Sequence, residues 1–290
     1  MRYRSVFRPA LFHERTMIVT GGGSGIGRCA AHELASLGAS VALIGRRSEK
    51  LQTVREEIFA AYPEANVSCH PCDIREEERV RETVAAILGR HGRIDGLFNN
   101  AGGQYPAPLK EISQKGWETV VRNNLTGGFL MARECYAQWM ERNGGAIVNI
   151  IADMWNGMPG MGHSGAARAG MLNFTETAAC EWAHAGVRVN AVAPGWIASS
   201  GFESYPPEFQ VLTRTLKRKV PLQRFGTEAE VSAAVVFLLS EAAGFITGSC
   251  VRVDGGVPNA RHTWPLNTHE RSQPYQGFPL SRPPAWMVED

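Results

Sequence analysis

The stretch TGGGSGIG, residues 20–27, follows the apolar run MIV directly and opens a helical pattern. No other feature narrows the possible folds so far. Glycines at 21, 25 and 27 allow a tight turn and close approach of backbone N–H groups to a pyrophosphate. Gly23, Ser24 and Ile26 complete a helix N-terminus whose partial positive charge faces that anion. A glycine-rich turn means little alone, but between a first strand and a first helix it predicts a dinucleotide site.

The rest of the chain repeats the same alternation. SVALIG, NVSCHPC, DGLFNN, AIVNII, RVNAVAP and CVRVDGG read as strands, separated by helical patterns at 48–61, 75–91, 115–142, 164–185 and 227–240. Several of these strands are apolar throughout, as expected where helices cover both faces of a parallel sheet. The prediction is one doubly wound α/β domain of about seven strands over residues 14–256, preceded by an arm (1–13). Residues 199–220 interrupt the last crossover with Pro, aromatic and basic residues and are expected to form a substrate lid. The segment 257–290 is rich in proline and carries Trp264 and Trp286, so it is expected to pack on the core or on a partner subunit.

With Lys+Arg 30 against Asp+Glu 28, the chain offers no electrostatic reason to bind nucleic acid or a membrane surface. It has neither a secretory h-region nor an apolar run long enough to span a bilayer, and its six scattered cysteines read as reduced core thiols. A cytoplasmic protein with no metal site is expected. Cys69 and Cys72 have ligand spacing, but no second pair accompanies them, and packing explains them more simply.

At the end of the second strand, Gly45 stands where an NAD enzyme would carry Asp or Glu for the ribose 2′-hydroxyl, and Arg46 and Arg47 follow. A guanidinium fork suits a 2′-phosphate, so NADP(H) is the expected cofactor.

Five motifs in order, TGGGSGIG, NNAG (99–102), NNLTGGF (123–129), RVNAVAPGWI (188–197) and FITGSCVRVDGG (245–256), resemble the short-chain dehydrogenase/reductase family. The resemblance implies that Asp73 and Ile74 flank the adenine and that Asn100, with Ala101 and Gly102, lies near its ribose. It also implies that Pro194, Gly195 and Ile197 border the nicotinamide, that Asn124 steadies the active-site helix and a proton-relay water, and that the subunits form a homo-oligomer, a tetramer in particular. The family's catalytic Ser, Tyr and Lys do not carry over. Matching ARAG to the usual K-A-G ending puts Ser164 at the Tyr position and Arg168 at the Lys position, and the Ser position falls on Ile151. Within the family, GGAIVNII, HSGAARAG, the stretch at 99–104 and SQKGWETV are similar to the branch of peroxisomal trans-2-enoyl-CoA reductases. The chain ends MVED, so the organelle is not carried over.

Carbonyl reduction needs an acid that gives up a proton as hydride arrives, and a serine hydroxyl is a poor one. Reducing a C=C bond conjugated to a thioester places charge on the thioester oxygen, where hydrogen-bond donors suffice. The expected activity is therefore NADPH-dependent reduction of an activated double bond such as a 2-enoyl-CoA, with Lys110, Lys115 and LKRKV (216–220) as cations for CoA phosphates. Arg168 would hold the nicotinamide ribose. Ser164 serves either as an oxyanion donor or as a helix N-cap. Asp153 and His163 remain as titratable candidates, each also explicable as a capping or packed residue. Two rival activities stay open: a carbonyl/alcohol dehydrogenase acting on an acyl-CoA or acyclic terpenoid, and an inactive NADP-binding scaffold.

Overall fold

A computed structural model of the chain describes residues 1–200, 215–260, 265–284 and 287. Seven parallel strands form one sheet in the order β3-β2-β1-β4-β5-β6-β9: β1 (Thr16–Thr20), β2 (Ser40–Gly45), β3 (Val67–Pro71), β4 (Gly96–Asn99), β5 (Gly145–Ile150), β6 (Val187–Pro194) and β9 (Cys250–Val253). Every residue of β1 and β4 is buried, because each strand has helices above and below it. On one face α1 (Gly25–Ser36), α2 (Ser48–Ala61) and α8 (Glu228–Leu239) close a core around Leu34, Leu51, Val54 and Val235. On the other face lie α3 (Glu77–His91), α4 (Gln114–Val121), α5 (Gly127–Cys135) and α7 (Gly162–Glu181), around Val84, Ile87, Met131 and Ala178. The strand order reverses between β1 and β4, and a sheet of this kind opens its ligand crevice at the carboxyl ends beside that reversal.

Local chemistry sets the ends of these helices. Thr227 and Glu230 form a reciprocal capping box at the start of α8, and Ser113 accepts from the Gly116 N–H at the start of α4. Gly92, at φ +74°, ends α3 just after Arg90 and His91. The single helix expected over 115–142 is not regular. It is widened by two π-turns, Arg122–Thr126 between α4 and α5 and Tyr136–Met140 between α5 and the short α6 (Glu141–Asn143). A period read from side chains does not register one extra residue per turn. Two further short strands, β7 (Ile197–Ala198) and β8 (Gly226–Thr227), pair beside the crevice. Cys69 joins one core and Cys72 the other, so the two thiols pack on opposite faces of the sheet.

Arm and tail meet on the outer surface of α1 and α8. The Arg4 N–H donates to Gly277 O (2.9 Å), Tyr3 stacks on Phe278 (centroids 5.9 Å apart), and Thr227 Oγ1 donates to Tyr275 O (2.8 Å). Beneath them the buried Glu33 carboxylate accepts from Tyr3, Ser5 and Ser232. Arg28 pairs with Glu57 (2.7 Å) and donates to Leu280 O (3.0 Å). Residues 201–214 of the expected lid, and both tail tryptophans, lie outside the described residues.

Glu228, the first residue of α8, is buried between this tail and α1, and burial pushes its carboxyl up to about 7 against the pull of Arg28. Its folded value thus lies above the ordinary 4.5, so folding takes up a proton between those values and stability falls as pH rises from 4.5 to 7. Glu228→Gln removes that cost, up to about 3 kcal/mol at full burial. The variant is expected to melt several degrees higher than wild type at pH 8, with no gain at pH 4.5. Equal shifts at both pH values would contradict this account.

Candidate active site

The carboxyl ends of the strands surround a cleft of about 850 Å³, which adjoins a recess of about 150 Å³ at the edge of β2. The glycine-rich turn separates the two. Gly21 (φ +65°) and Gly25 (φ +56°) occupy left-handed backbone, and a Cβ at Gly27 would stand 2.4 Å from the Gly21 carbonyl oxygen. Thr20, unremarked in the sequence, ties this turn to the end of β4: its Oγ1 accepts from the Asn100 and Ala101 N–H groups, each at 2.9 Å. Asn100 Nδ2 donates in turn to Thr20 O at 3.1 Å. The first turn of α1 therefore faces the opening, held on two sides, in the arrangement that receives a pyrophosphate.

Most of the residues anticipated at the cofactor site converge here. Gly21, Gly23, Ser24, Arg46, Arg47, Asp73, Ile74, Ala101 and Gly102 line the recess, and Ser24, Gly25, Ile26, Asn100, Gly102, Pro194, Gly195 and Ile197 line the cleft. Gly27 lines neither and is spent inside the turn. Asp73 is held by Arg75, whose Nε donates to Oδ1 at 2.8 Å, and these bonds keep its carboxyl below the usual range. Lys50 and Asn123 also line the recess and went unnoticed in the sequence. Lys50 sits one helical turn after Arg46 and Arg47, a spacing that could have revealed it.

The three replaced catalytic positions have distinct fates. Ile151 is buried on the cleft wall, with no hydroxyl to offer. Ser164 is fully buried, lines neither cavity and donates its Oγ–H to Gln104 Oε1. The N-cap of α7 is Met161, so Ser164 lies inside the first turn and the capping alternative fails. Gln104, which sequence reasoning missed, is the polar group that reaches the cleft at this point. Arg168 follows Ser164 by one turn and lines the cleft, and its Nη1 donates to Ile150 O at 2.7 Å. Its Nε has no hydrogen-bond partner among the described residues, and burial drags the guanidinium down to about 10. A Cβ at Gly102 would stand 2.6 Å from both Arg168 Nη2 and Asn124 Oδ1, so a glycine is needed there.

Asn124, buried in the first π-turn, forms a reciprocal pair with the Gly103 backbone: Nδ2 donates to O and Oδ1 accepts from N–H, both at 2.9 Å. Both side-chain bonds thus go to the loop that carries Gln104. His163 is fully buried, its Nδ1 accepting from the Ser164 N–H (3.0 Å) and its ring edge-on to Tyr105 (4.7 Å). Asp153 reaches the cleft from the loop after β5.

This fold, with a dinucleotide turn at the sheet's reversal and a strand-end cleft beside it, defines a nicotinamide-dependent oxidoreductase, and the chain belongs to the short-chain dehydrogenase/reductase family. A family model described as enoyl-(acyl carrier protein) reductase matches residues 21–258. A probable 2,4-dienoyl-CoA reductase of Bacillus subtilis (strain 168) is 36% identical over 84% of this chain and 96% of its own length. A peroxisomal 2,4-dienoyl-CoA reductase of Danio rerio is 34% identical, covering 88% and 85%. Among solved structures, a citronellol catabolism dehydrogenase of Pseudomonas aeruginosa PAO1 superimposes with a TM-score of 0.80 at 58% identity, covering 88% of this chain and all of that one. Among the described residues, no helix is long and apolar enough to cross a membrane.

Proposed function

We propose that the protein reduces a carbon–carbon double bond conjugated to a thioester, of the 2-enoyl- or 2,4-dienoyl-CoA type, with NADPH as hydride donor. One observation carries this reading: no phenol lines the cleft among the described residues, and the Tyr and Lys positions hold a buried serine and a buried arginine. That wall lacks the phenol that serves carbonyl reduction in this family, yet it retains hydrogen-bond donors for an enolate oxygen. Ser164, acting through Gln104, and Arg168 at the nicotinamide ribose are assigned those tasks. The names of the Bacillus and Danio relatives agree with this chemistry.

The reading includes NADP(H) over NAD(H). Gly45 places no carboxylate at the end of β2, and Arg46, Arg47 and Lys50 line the recess with positive charge, with Asp73 held by Arg75. Arg46→Ala is expected to weaken NADPH binding by about 10- to 100-fold, the loss of a charge-assisted phosphate contact of 1.5–3 kcal/mol, and to leave NADH within about twofold. Equal losses for the two cofactors would refute the assignment. The proposal also includes a homotetramer, to be read by light scattering, with exposed Phe129 on α5 and exposed Ala166 and Ala169 on α7 at the contacts.

A second reading, dehydrogenation of an acyclic terpenoid alcohol, is favoured by the 58% identity to the citronellol catabolism dehydrogenase and by the apolar wall of Ile151, Met158, Met161 and Ile197. Following NADPH with 2-enoyl-CoA, 2,4-dienoyl-CoA, ketone and citronellal substrates, and NADP+ with citronellol, separates the readings. Turnover of thioesters alone supports the first. Turnover of the alcohol or the carbonyls alone overturns it, and NADPH binding without any turnover leaves a nucleotide-binding scaffold.

A further inference from the structure

Asp153 carries the one carboxyl that faces the cleft among the described residues. The other ionisable groups on its wall, Arg47, Lys50 and Arg168, are cations, and Arg47 and Lys50 also line the adenosine-side recess. Three adjacent strand ends place a second acid near Asp153. The Asp153 N–H donates to Pro194 O (3.0 Å), fixing the loop after β5 to the end of β6. From the other side, the Gly195 N–H donates to Val253 O (2.9 Å), and a Cβ on Gly195 would stand 2.8 Å from Asp254 Cα. The two aspartates thus flank a single dipeptide, Pro194–Gly195, on the cleft wall. Asp254 is buried; its Oδ1 accepts from the Gly256 N–H (2.8 Å), while Oδ2 has no hydrogen bond among the described residues. Arg252 Nε pairs with Oδ2 at 3.8 Å, and the same guanidinium lies over the Trp155 ring (5.5 Å) and donates to Asn259 Oδ1 (3.2 Å).

We propose that Asp153 is the proton donor of the reaction and that Asp254 is the positioning residue that favours its protonated form. This rests on the reading of the site as a reductase of conjugated thioesters. The double bond gains a hydride from the dihydronicotinamide at its β-carbon, which leaves an enolate. The Asp153 O–H bond then breaks as a C–H bond forms at the α-carbon, the alkene is reduced, the nicotinamide is oxidised, and the carboxylate recovers a proton from solvent. Burial raises the Asp153 carboxyl above its ordinary range, the Asp254 charge adds to that, and Arg252 opposes it. The charged groups around Asp153 are thus Asp254 and Arg252 of β9, with Arg168 of α7 on the same cleft.

Asp153→Asn is expected to lower kcat by about 10²- to 10⁴-fold with NADPH affinity unchanged. A donor must be protonated, so kcat falls as pH rises through the Asp153 pKa. Asp254→Asn, which keeps the shape and the acceptor for Gly256, moves that falling limb to lower pH, and Arg252→Gln moves it to higher pH. The ¹³C carboxyl resonance of Asp153 in the unliganded protein should shift its titration midpoint in the same two directions, a readout that needs no turnover. The proposal is overturned if Asp153→Asn keeps wild-type kcat on a thioester that wild type reduces, or if neither variant moves the Asp153 midpoint. If wild type reduces no such thioester, the functional reading and the donor role fall together, while the carboxyl titration still decides whether Asp254 favours the protonated form of Asp153.

Discussion

Gly27→Ala is expected to abolish NADPH binding at concentrations that saturate wild type and to lower the melting temperature. The added Cβ would lie 2.4 Å from the Gly21 carbonyl oxygen and 2.5 Å from Asn100 Nδ2. Neither neighbour is free to retreat. Gly21 is held in left-handed backbone, and the Asn100 amide is bonded to Thr20 O. Overpacking of this kind costs roughly 1–3 kcal/mol, which in a domain of this size lowers the melting temperature by about 2–12 °C. Binding suffers more than stability, because the strain is relieved most directly by opening the turn that receives the pyrophosphate. A loss of about 3 kcal/mol there is about two decades in Kd. Isothermal titration with NADPH, beside a thermal melt, reads both effects, and wild-type affinity in the variant would contradict the assigned role of the turn.

Arg168→Met is expected to divide stability from function. The guanidinium is buried without a carboxylate partner among the described residues, and burial lowers it from 12.5 to about 10. A cation so lowered disfavours the folded state at neutral pH by roughly 3 kcal/mol, and that cost fades only as pH rises past 10. Methionine, similar in length and uncharged, removes it but leaves Ile150 O unsatisfied, which costs about 1–3 kcal/mol. The two effects nearly cancel, so the melting temperature should stay within a few degrees of wild type while kcat/KM falls by about 10²-fold or more with the loss of ribose and enolate contacts. A variant that unfolds would show Arg168 to be structural, and one that retains full activity would show it idle.

Where local pattern decides, the sequence was a faithful guide. The β1 turn, the apolar strands and helix α2, expected over 48–61 and found at Ser48–Ala61, follow from periodicity and glycine placement alone. The positions of Ile151 and Arg168 on a cleft wall follow from counting along one helix and one strand, whereas Ser164 lies buried behind that wall. What stayed hidden depends on contacts between distant segments. Gln104 joins the site only because the loop after β4 folds over Ser164, and Thr20 only because two strand ends lie side by side. The pairing of Asn124 with Gly103 depends on a π-turn, which leaves no mark in hydrophobic spacing. The clasp of arm and tail on α1 joins residues some 270 positions apart, as in the Arg4–Gly277 bond, beyond the reach of any local rule.

The claim at the centre of this account is that hydride goes to carbon of a conjugated alkene. Incubation with crotonyl-CoA and NADPH deuterated at the nicotinamide C4 position on the transferred face, followed by mass and NMR analysis of the product, tests it most directly. One deuterium at the β-carbon of butyryl-CoA is the predicted result. Unchanged crotonyl-CoA, in a preparation that moves the same deuterium to a carbonyl carbon of citronellal, would contradict it.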